Sequence, residues 1–435
     1  MDKTEFLERY KRVISPSTIA YYNDPLVVDR AKGVRVTDID GNSYLDFFGG
    51  ILTVSLEHSN DHVNKAIRVQ SERLSHISTL YPTVPMLELA ETLADRAPGN
   101  LSQSFFVASG TEADETAVML AMTHTGSGEI IALRNGYHGR SMLAQSLTAH
   151  SPWRVLNTQI AGIKHGHAPY CYRCDFGETP GKCALKCAKD IENLIRYTTT
   201  GKIAGFLAEP VQGVGGFVVA PDGYFDVAVE IVRKYGGLFI CDEVQTGFGR
   251  TGGKFWGIEH YGVEPDIMTM AKGIANGMPA ANCMTTPEIA AGLPAHGLTI
   301  STFGANPIAM AAAKATVEVI DTEDVVMRSE RLGAVLRNGL EELQERYPSS
   351  IGEVRGMGLM QAIEIVVDEQ TRNREPDTAL VGRVFEAAKD RGLLLGKGGL
   401  LGNVFRIAPP MLISQEEIEE GLRILGESLE VSGAK

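Results

Sequence analysis

Three short segments carry side chains able to hold and activate a charged ligand. In the first, Ser109, Gly110 and Thr111 lie between an apolar run and a segment with helical spacing. Their hydroxyls and backbone N–H groups, at the positive end of a helix dipole, would suit a phosphate. An ordinary helix N-cap is the alternative, because Ser and Thr favour that position. This segment alone leaves both interpretations open.

The other two segments place charged side chains at the ends of apolar runs. Asp242 and Glu243 follow Leu238–Cys241, and a buried carboxylate needs a partner because an unpaired buried charge is costly. A ligand cation would be such a partner, although capping of a turn would also explain the acids. Lys272 follows Ile267–Met270, where burial would lower its pKa and leave a neutral amine able to form a Schiff base. A solvated lysine at a strand end is the alternative.

Taken together, the three segments provide the anchors of a pyridoxal phosphate site: a phosphate-binding turn, an acid for a pyridinium nitrogen and a lysine for the aldehyde. The acid keeps the ring nitrogen protonated, and the lysine holds the aldehyde and later moves a proton. Because all three occur in the same strand-and-helix context, their agreement is more specific than any one of them. We therefore expect pyridoxal 5'-phosphate as the cofactor.

The elements around these segments alternate between strand and helix, which indicates an α/β fold with a mostly parallel sheet covered on both faces. Such sheets bind ligands at the carboxyl ends of their strands. The predicted strands are Ser104–Ala108, Glu129–Leu133, Ile203–Leu207, Leu238–Cys241 and Ile267–Met270, and a hairpin is predicted around Asp40 and Gly41.

The pattern changes from about Pro307, where a long Ala-rich helix precedes a smaller α+β region. An amphipathic helix is predicted near Ser329–Arg346, followed by the strand LMQAIEIV and a helix near Thr378–Arg391. The Gly-rich turn GKGGLLG, the strand VFRIA and a helix from Gln415 complete the chain.

Composition and charge exclude several classes of protein. The 435 residues are 44% hydrophobic and 22% charged, which is ordinary for a globular protein. Acidic residues number 54 against 41 basic ones, which argues against nucleic acid or an anionic membrane as partner. No apolar run reaches the roughly 18 residues of a membrane helix, and the charged N-terminus lacks the apolar core of a secretory signal. Six cysteines are too few for a disulfide framework, so we expect a cytoplasmic location.

Over nearly its full length the chain resembles the class-III, fold-type I pyridoxal-phosphate aminotransferases. The stretch GKGGLLGNVFRIAPP at 396–410 is most similar to the alanine–glyoxylate branch of that class. The other matching stretches are DFFGGI at 46–51, SGTEAD at 109–114, YHGR at 137–140, AEPVQGVGG at 208–216, CDEVQTGFGRTG at 241–252, MAKGIANGMP at 270–279 and STFGANP at 301–307. One departure is Asp114, where the family more often has Asn or Val.

The resemblance implies roles for individual residues. Lys272 would carry the Schiff base and Asp242 would pair with the ring nitrogen. Arg406 would bind the substrate α-carboxylate with its two-pronged guanidinium, and Glu209 would neutralise Arg406 when the donor has no carboxylate there. The remaining cofactor contacts would be Ser109, Gly110 and Thr111 at the phosphate, Tyr137 and Val244 on the two ring faces, His138 and Glu209 beside the ring, Gln245 at the phenolic oxygen, and Thr302 at the phosphate of a partner subunit.

The resemblance also implies a fold-type I architecture, with a large domain and a smaller α+β domain built from both termini. We expect residues 1–65 to form the N-terminal arm and part of the small domain. Residues 66–315 would form the large cofactor-binding domain, and residues 316–435 the rest of the small domain. The partners would be a small amine donor and a keto acid. The chain would be a homodimer or homotetramer with active sites at the subunit interface.

The function that follows is amino transfer from an amino acid or ω-amine to a keto acid, with pyruvate or glyoxylate expected, in a ping-pong mechanism. An amino-acid racemase or decarboxylase of the same fold is the alternative. A catalytically silent binding protein is a third possibility, against which the intact Lys272 and Asp242 argue.

Two further motifs carry weaker signals. The run from Gly247 to Gly252 has the form GxGxxG, but a dinucleotide fingerprint should open a helix and meet an acid about 20 residues later. Cys171, Cys174, Cys183 and Cys187 have spacings that would suit a structural zinc. Reduced thiols in an insertion loop are the alternative, and we predict no metal in the active site.

Overall fold

The N-terminal part of the computed structural model forms an arm, a small antiparallel sheet and two helices. The structure describes residues 1–18, 20–293, 297, 299–368 and 374–435. The predicted hairpin is confirmed: β2 and β3 pair antiparallel across a turn in which Gly41 has a φ of 89°. The elements are α1 (Lys3–Val13), β1 (Val28–Lys32), β2 (Arg35–Asp38), β3 (Ser43–Asp46), the single turn α2 (Gly49–Leu52), α3 (Asp61–Arg73) and α4 (Val84–Ala94).

The middle of the chain alternates between strands and helices, as the sequence predicts. Its strands are β4 (Gln103–Val107), β5 (Ile130–Leu133), β6 (Ile163–Gly166), β7 (Gly205–Ala208), the short pair β8 (Val211–Gln212) and β9 (Val218–Val219), β10 (Leu238–Asp242), β11 (Ile267–Met270) and β12 (Ala281–Thr285). Its helices are α5 (Gly110–Thr125), α6 (Met142–Leu147), α7 (Lys186–Thr198), α8 (Tyr224–Lys234) and α9 (Pro287–Gly292), and short 3₁₀ turns occupy Ser151–Trp153, Gly257–Tyr261 and Lys272–Ala275.

Seven of these strands form one sheet in the order β4-β12-β11-β10-β7-β5-β6, and β8 and β9 pair separately. Strands β5, β7 and β11 are buried at every position because helices cover both faces of the sheet. The mostly parallel sheet is thus confirmed, with one exception: β12 runs antiparallel to both of its neighbours. Only residues 271–280 separate β11 from β12, which is shorter than a crossover to a parallel strand requires.

The C-terminal part forms a further sheet and adds one strand, β15, to the edge of the small N-terminal sheet. Strands β13, β14, β17 and β16 form an antiparallel sheet in that order, and β15 pairs parallel with β3. The elements are α10 (Pro307–Thr322), α11 (Val325–Arg346), β13 (Ile351–Met357), β14 (Met360–Ile365), α12 (Thr378–Asp390), β15 (Leu393–Leu394), β16 (Gly396–Gly398), β17 (Val404–Ile407) and α13 (Gln415–Val431).

The structure differs from the sequence-based prediction at several elements. Strands β6, β12 and β13 were not predicted, because they are short or carry no clear alternation. Helix α11 begins at Val325 rather than near Ser329, and the Gly-rich turn contains the short strand β16. The division into residues 1–65, 66–315 and 316–435 stays a prediction.

Two buried arginines join the C-terminal sheet to the central region. Arg250 donates through Nη1 to the carbonyls of Leu359, at 3.2 Å, and Pro409, at 2.5 Å. Arg355 donates through Nε to the carbonyl of Gly216 at 2.8 Å. The second sheet therefore has a fixed position beside the carboxyl ends of β10 and β11. No helix among the described residues is long and apolar enough to span a bilayer.

Candidate active site

A cavity of about 350 Å³ lies where β10 and β11 end and α5 begins. Asp242 and Thr269 are register partners in the parallel pair β10 and β11, and Lys272 follows shortly after Thr269. The two side chains predicted at the strand ends therefore open into the same space. The cavity is lined by Thr53, Ala108, Ser109, Gly110, Thr111, Asp114, Tyr137, His138, Gly139, Arg140, Glu209, Asp242, Val244, Gln245, Ala271, Lys272, Gly277, Met278 and Pro279.

The turn at the start of α5 combines an N-cap with free donors. The Ser109 hydroxyl accepts from the N–H of Glu112 at 3.3 Å. Within the described residues the N–H groups of Gly110 and Thr111 have no acceptor. A Cβ at Gly110 would lie 3.3 Å from the Val244 side chain, so glycine lets the cavity wall approach the turn closely. Both interpretations of this segment are therefore compatible, since Ser109 caps the helix while its neighbours leave donors for an anion.

The two adjacent acids at the end of β10 have different roles, because successive side chains of a strand point to opposite faces. Glu243 accepts from the N–H groups of Gly257, at 3.0 Å, and Ile258, at 2.8 Å, and so caps a 3₁₀ turn. Asp242 faces the cavity, and its Oδ1 accepts from the N–H of Val244 at 3.0 Å. The capping interpretation therefore applies to Glu243, and Asp242 is left to face a ligand.

A buried histidine lies between two acids on the floor of the cavity. His138 Nδ1 is 2.8 Å from Asp242 Oδ2 and 4.0 Å from Asp114 Oδ2. Burial alone would lower the pKa of His138, but the hydrogen bond to Asp242 and the charges of both acids raise it to about 9. His138 is thus protonated at neutral pH and donates to Asp242.

Lys272 combines a strained backbone conformation with a buried amine. Its φ of 44° lies in the left-handed region, a costly conformation for a residue with a Cβ that is typical of functional sites. The next peptide is fixed by the Ser55 hydroxyl, which donates to the carbonyl of Gly273 at 2.8 Å. Burial lowers the pKa of the Lys272 amine to about 8, although the charges of Asp242 and Glu209 oppose this effect. A substantial neutral fraction is therefore present at pH 7–8.

Glu209 is held by the backbone rather than by Arg406. Its Oε1 accepts from the N–H of Tyr137 at 3.1 Å and its Oε2 from the N–H of Gly213 at 2.8 Å. Burial, followed by the charge of Asp242, raises the pKa of Glu209 to about 7. No ion pair joins Glu209 to Arg406 in the described part of the chain, so their pairing stays a prediction.

Arg406, on β17, is buried and only partly hydrogen-bonded. Its Nε donates to the carbonyl of Lys397 at 3.0 Å, and its guanidinium lies 4.9 Å from the centre of the Phe48 ring. Its Nη1 has no partner within the described residues. Burial lowers the pKa of Arg406, and its charge in turn acts on Lys272. A buried guanidinium with a free nitrogen near the cavity suits an anionic ligand.

All predicted cofactor contacts apart from Thr302 line the cavity. Tyr137 packs edge-on against Trp153, and Gln245 is buried with its Oε1 unpartnered within the described residues. Thr302 is exposed and lies outside the cavity. Its contact with a partner subunit stays a prediction.

Three residues near the site were not given a role from the sequence. Arg140 presents an exposed side chain at the cavity lining. His150 is buried with both ring nitrogens unpartnered within the described residues, and burial, together with the Arg406 charge, lowers its pKa to about 4. Asp114 follows Gly110 by one helical turn, so the spacing alone could have placed it on the cavity side of α5.

The GxGxxG run and the cysteine cluster form neither a dinucleotide site nor a zinc site in the described residues. The run 247–252 consists of turns and opens no helix, so it lacks the feature that a dinucleotide fingerprint requires. Cys171, Cys174, Cys183 and Cys187 are unpaired and partly buried. In the described residues, no three of these thiols lie within 4.8 Å of one another, so the structure gives the zinc hypothesis no support.

The residues present fit pyridoxal 5'-phosphate at each of its polar ends. Gly110 and Thr111 offer free N–H donors for a phosphate, and Asp242 offers a carboxylate for a ring cation. Gln245 lines the cavity with a side-chain amide whose N–H could donate to a phenolic oxygen, and Lys272 has an amine for an aldehyde. The donor set and the unpartnered buried atoms therefore match the cofactor that the sequence predicts.

Comparisons with known proteins agree with this geometry. A family model described as Aminotransferase class-III matches residues 18–429. The chain is 41% identical to alanine–glyoxylate aminotransferase 2 homolog 2, mitochondrial, of Arabidopsis thaliana, over 99% of this chain and 87% of that protein. It is also 36% identical to a leucine/methionine racemase of Thermococcus litoralis, over 97% of this chain and 94% of that protein.

A solved structure shows the same fold. The crystal structure of an aminotransferase from Bacillus anthracis superimposes with a TM-score of 0.92 at 31% sequence identity. The match covers 99% of this chain and all of the other.

Proposed function

Because the chain belongs to the class-III aminotransferases, we propose that it moves an amino group from an amino acid or ω-amine to pyruvate or glyoxylate in a ping-pong reaction through a Schiff base at Lys272. The observation that carries this proposal is the convergence of the Lys272 amine, the Asp242 carboxylate and the α5 N-terminus on one cavity. The keto acids are suggested by the alanine–glyoxylate aminotransferase to which the chain is similar. The test is a panel of keto acids with several donors, in which stoichiometric amino transfer is expected.

The cofactor supplies an electron sink for the carbanion that forms when the donor loses its α-proton. This chain provides the groups that hold and assist it. Gly110 and Thr111 would hold the phosphate, and Asp242, which is hydrogen-bonded to His138, would pair with the ring nitrogen. Tyr137 and Val244 would pack on the ring.

Lys272 acts as base and acid once its amine is free. Because burial lowers its pKa to about 8, the amine has a useful neutral fraction at neutral pH and takes the donor α-proton as a general base. The same group, now protonated, would then give up this proton at the carbon on the other side of the donor nitrogen. Arg406 fixes the substrate carboxylate and so sets which face of the α-carbon meets Lys272.

Replacing Arg406 by alanine should raise the KM for pyruvate or glyoxylate sharply. A charge-assisted pair with a carboxylate is worth roughly 1.5–3 kcal/mol, which corresponds to a loss of about 10- to 150-fold. A simple amine donor without a carboxylate should lose much less, because Glu209 then balances the guanidinium in the intact protein. Steady-state kinetics with both donor types, and with Arg406→Lys as the charge-conserving variant, measure the difference. Equal losses for the two donor types would make Arg406 structural.

We further propose that the active unit is a homodimer or a homotetramer of such dimers. Thr302 is exposed on a single chain, and the family resemblance gives it a contact with the phosphate of a partner. Sedimentation at assay concentrations should therefore show a dimer or larger species, and Thr302→Val should weaken cofactor retention. An active monomer would contradict the proposal.

A racemase is the second candidate, because a racemase is also similar to the chain over most of its length. The two reactions separate when enzyme is given a single-enantiomer amino acid and no keto acid. An aminotransferase releases one equivalent of keto acid per site and stops, whereas a racemase converts the donor into its mirror image catalytically. Chiral chromatography of the mixture distinguishes them.

We also propose the domain division given above and a cytoplasmic location. The boundary near residue 315 is supported by the separate sheets formed before and after α10. A small domain built from both termini is supported by β15, which pairs with β3 of the N-terminal sheet. A cytoplasmic location is supported by the six cysteines, none of which is in a disulfide.

A further inference from the structure

Asp114 is a buried acid at the cavity for which the proposed reaction has no use. Its Oδ1 accepts from the Thr269 hydroxyl at 2.7 Å, and its Oδ2 lies 4.0 Å from His138 Nδ1. The same nitrogen is 2.8 Å from Asp242. Within the described residues, Asp114, His138 and Asp242 form the one group of acidic, histidine or cysteine ligand atoms that all lie within 4.8 Å.

The carboxylate of Asp242 alone cannot balance both the His138 imidazolium and a ligand cation. His138 is an imidazolium, so it already offsets the negative charge of Asp242. A ring cation bound at Asp242 would then be a second buried positive charge without a counter-charge, which is costly in a low-dielectric site. Asp114 is the additional carboxylate beside His138, with Oδ2 at 4.0 Å from Nδ1, whereas the Glu209 carboxylate already accepts from two backbone N–H groups. Two carboxylates together match one imidazolium and one ligand cation.

The surroundings of Asp114 act on its ionisation in opposite directions. Burial, followed by the charge of Asp242, raises the pKa of Asp114, whereas the positive charge of His138 lowers it. The hydroxyl of Thr269 stabilises the ionised form by donating to it. A bound cation would therefore promote ionisation of Asp114.

We propose that Asp114 is a positioning residue that supplies the second negative charge beneath the cofactor ring, so that His138 and the ring nitrogen remain protonated together. The proposal rests on the proposed function, because it requires a cofactor with a basic ring nitrogen. The proposal explains why an acid at position 114 matters, since Asn or Val there would remove one negative charge from the site. The charged and titratable groups that interact with this cluster are Asp242 on β10, Glu209 after β7, Lys272 after β11, His165 on β6 and Cys283 on β12.

The test compares binding of two cofactors to the apoprotein of wild type and Asp114→Asn. One is pyridoxal 5'-phosphate, and the other is its analogue with a carbon in place of the ring nitrogen, which cannot carry the ring charge. For the variant we expect affinity for pyridoxal phosphate to fall by about tenfold or more at pH 7–8, with little change for the analogue. Fluorescence quenching gives both dissociation constants without turnover. In ¹⁵N-histidine spectra of the apoprotein, the His138 pKa should also fall.

A matched control is Asp38→Asn, which removes a buried carboxylate that bonds Asn42 and Tyr44 outside the cavity. This variant should bind both cofactors as wild type does. Equal weakening of both cofactors by Asp114→Asn would show that Asp114 only shapes the cavity, and unchanged binding would remove any role. Failure of the proposed function would appear differently, as absence of pyridoxal phosphate binding by the wild type.

Discussion

Lys272→Ala should reduce turnover by at least about 10⁴-fold, because general acid–base catalysis alone contributes up to about that factor and the variant also loses its covalent link to the cofactor. No other lysine lines the cavity in the described part of the chain. The variant protein should still bind the cofactor through the α5 N-terminus, but without a covalent bond. Borohydride treatment followed by peptide mass mapping should find the label on Lys272 in wild type and no labelled lysine in the variant.

Lys397→Ala is the matched control for this experiment. Lys397 is the lysine of the Gly-rich segment GKGGLLG, and its ammonium lies 4.3 Å from the centre of the Phe385 ring and outside the cavity. The Lys397→Ala variant should therefore remain active and show a normal borohydride-reducible linkage. A cofactor that is still fixed by borohydride in Lys272→Ala would overturn the assignment.

Asp242→Asn should slow the half-reaction with an amine donor by roughly 10²–10⁴-fold, the range for loss of a group that acts on proton transfer. The amide cannot balance a ring cation, so the carbanion loses its stabilisation. The substitution also removes the acceptor of His138. Cofactor affinity should fall by a smaller factor than the rate, about tenfold or more as for Asp114→Asn, because the donors of Gly110 and Thr111 stay in place.

Rapid mixing of variant and donor measures the half-reaction, and dialysis measures cofactor retention. Asp266→Asn is a suitable control, since Asp266 accepts from the N–H of Phe239 at 2.8 Å outside the cavity. That variant should keep its half-reaction rate even if its melting temperature falls. A near-normal rate for Asp242→Asn would show that Asp242 has another role.

The parts of the site predicted from the sequence are those in which a charged residue ends an apolar strand. Lys272 and Asp242 were found in this way because a fully buried strand leaves an unmistakable apolar run. The Ser109 turn was found because helix starts have a residue signature. The parallel sheet followed from the same alternation of runs.

Other features depend on tertiary contacts that one segment does not reveal. The antiparallel direction of β12 follows from the short connection that carries Lys272, and its sequence ANCMT resembles the parallel strands. The backbone donor that Gly213 offers to Glu209 could not be read from the sequence, and the pairing of Glu209 with Arg406 stays a prediction. The environment of Asp114 arises from β10, β11 and the Tyr137 loop together.

The sheet that pairs β3 with β15 has a consequence for how the protein matures on the ribosome. Leu45 and Asp46 take Leu393 and Leu394 as register partners, so the first hairpin to be synthesised waits for nearly the whole chain before its edge is covered. Lys272 and Asp242 leave the exit tunnel long before β15 and Arg406 do. A nascent or prematurely terminated chain therefore contains Lys272 without Arg406, the residue proposed to bind the substrate carboxylate, and it exposes an unpaired strand edge open to wrong partners.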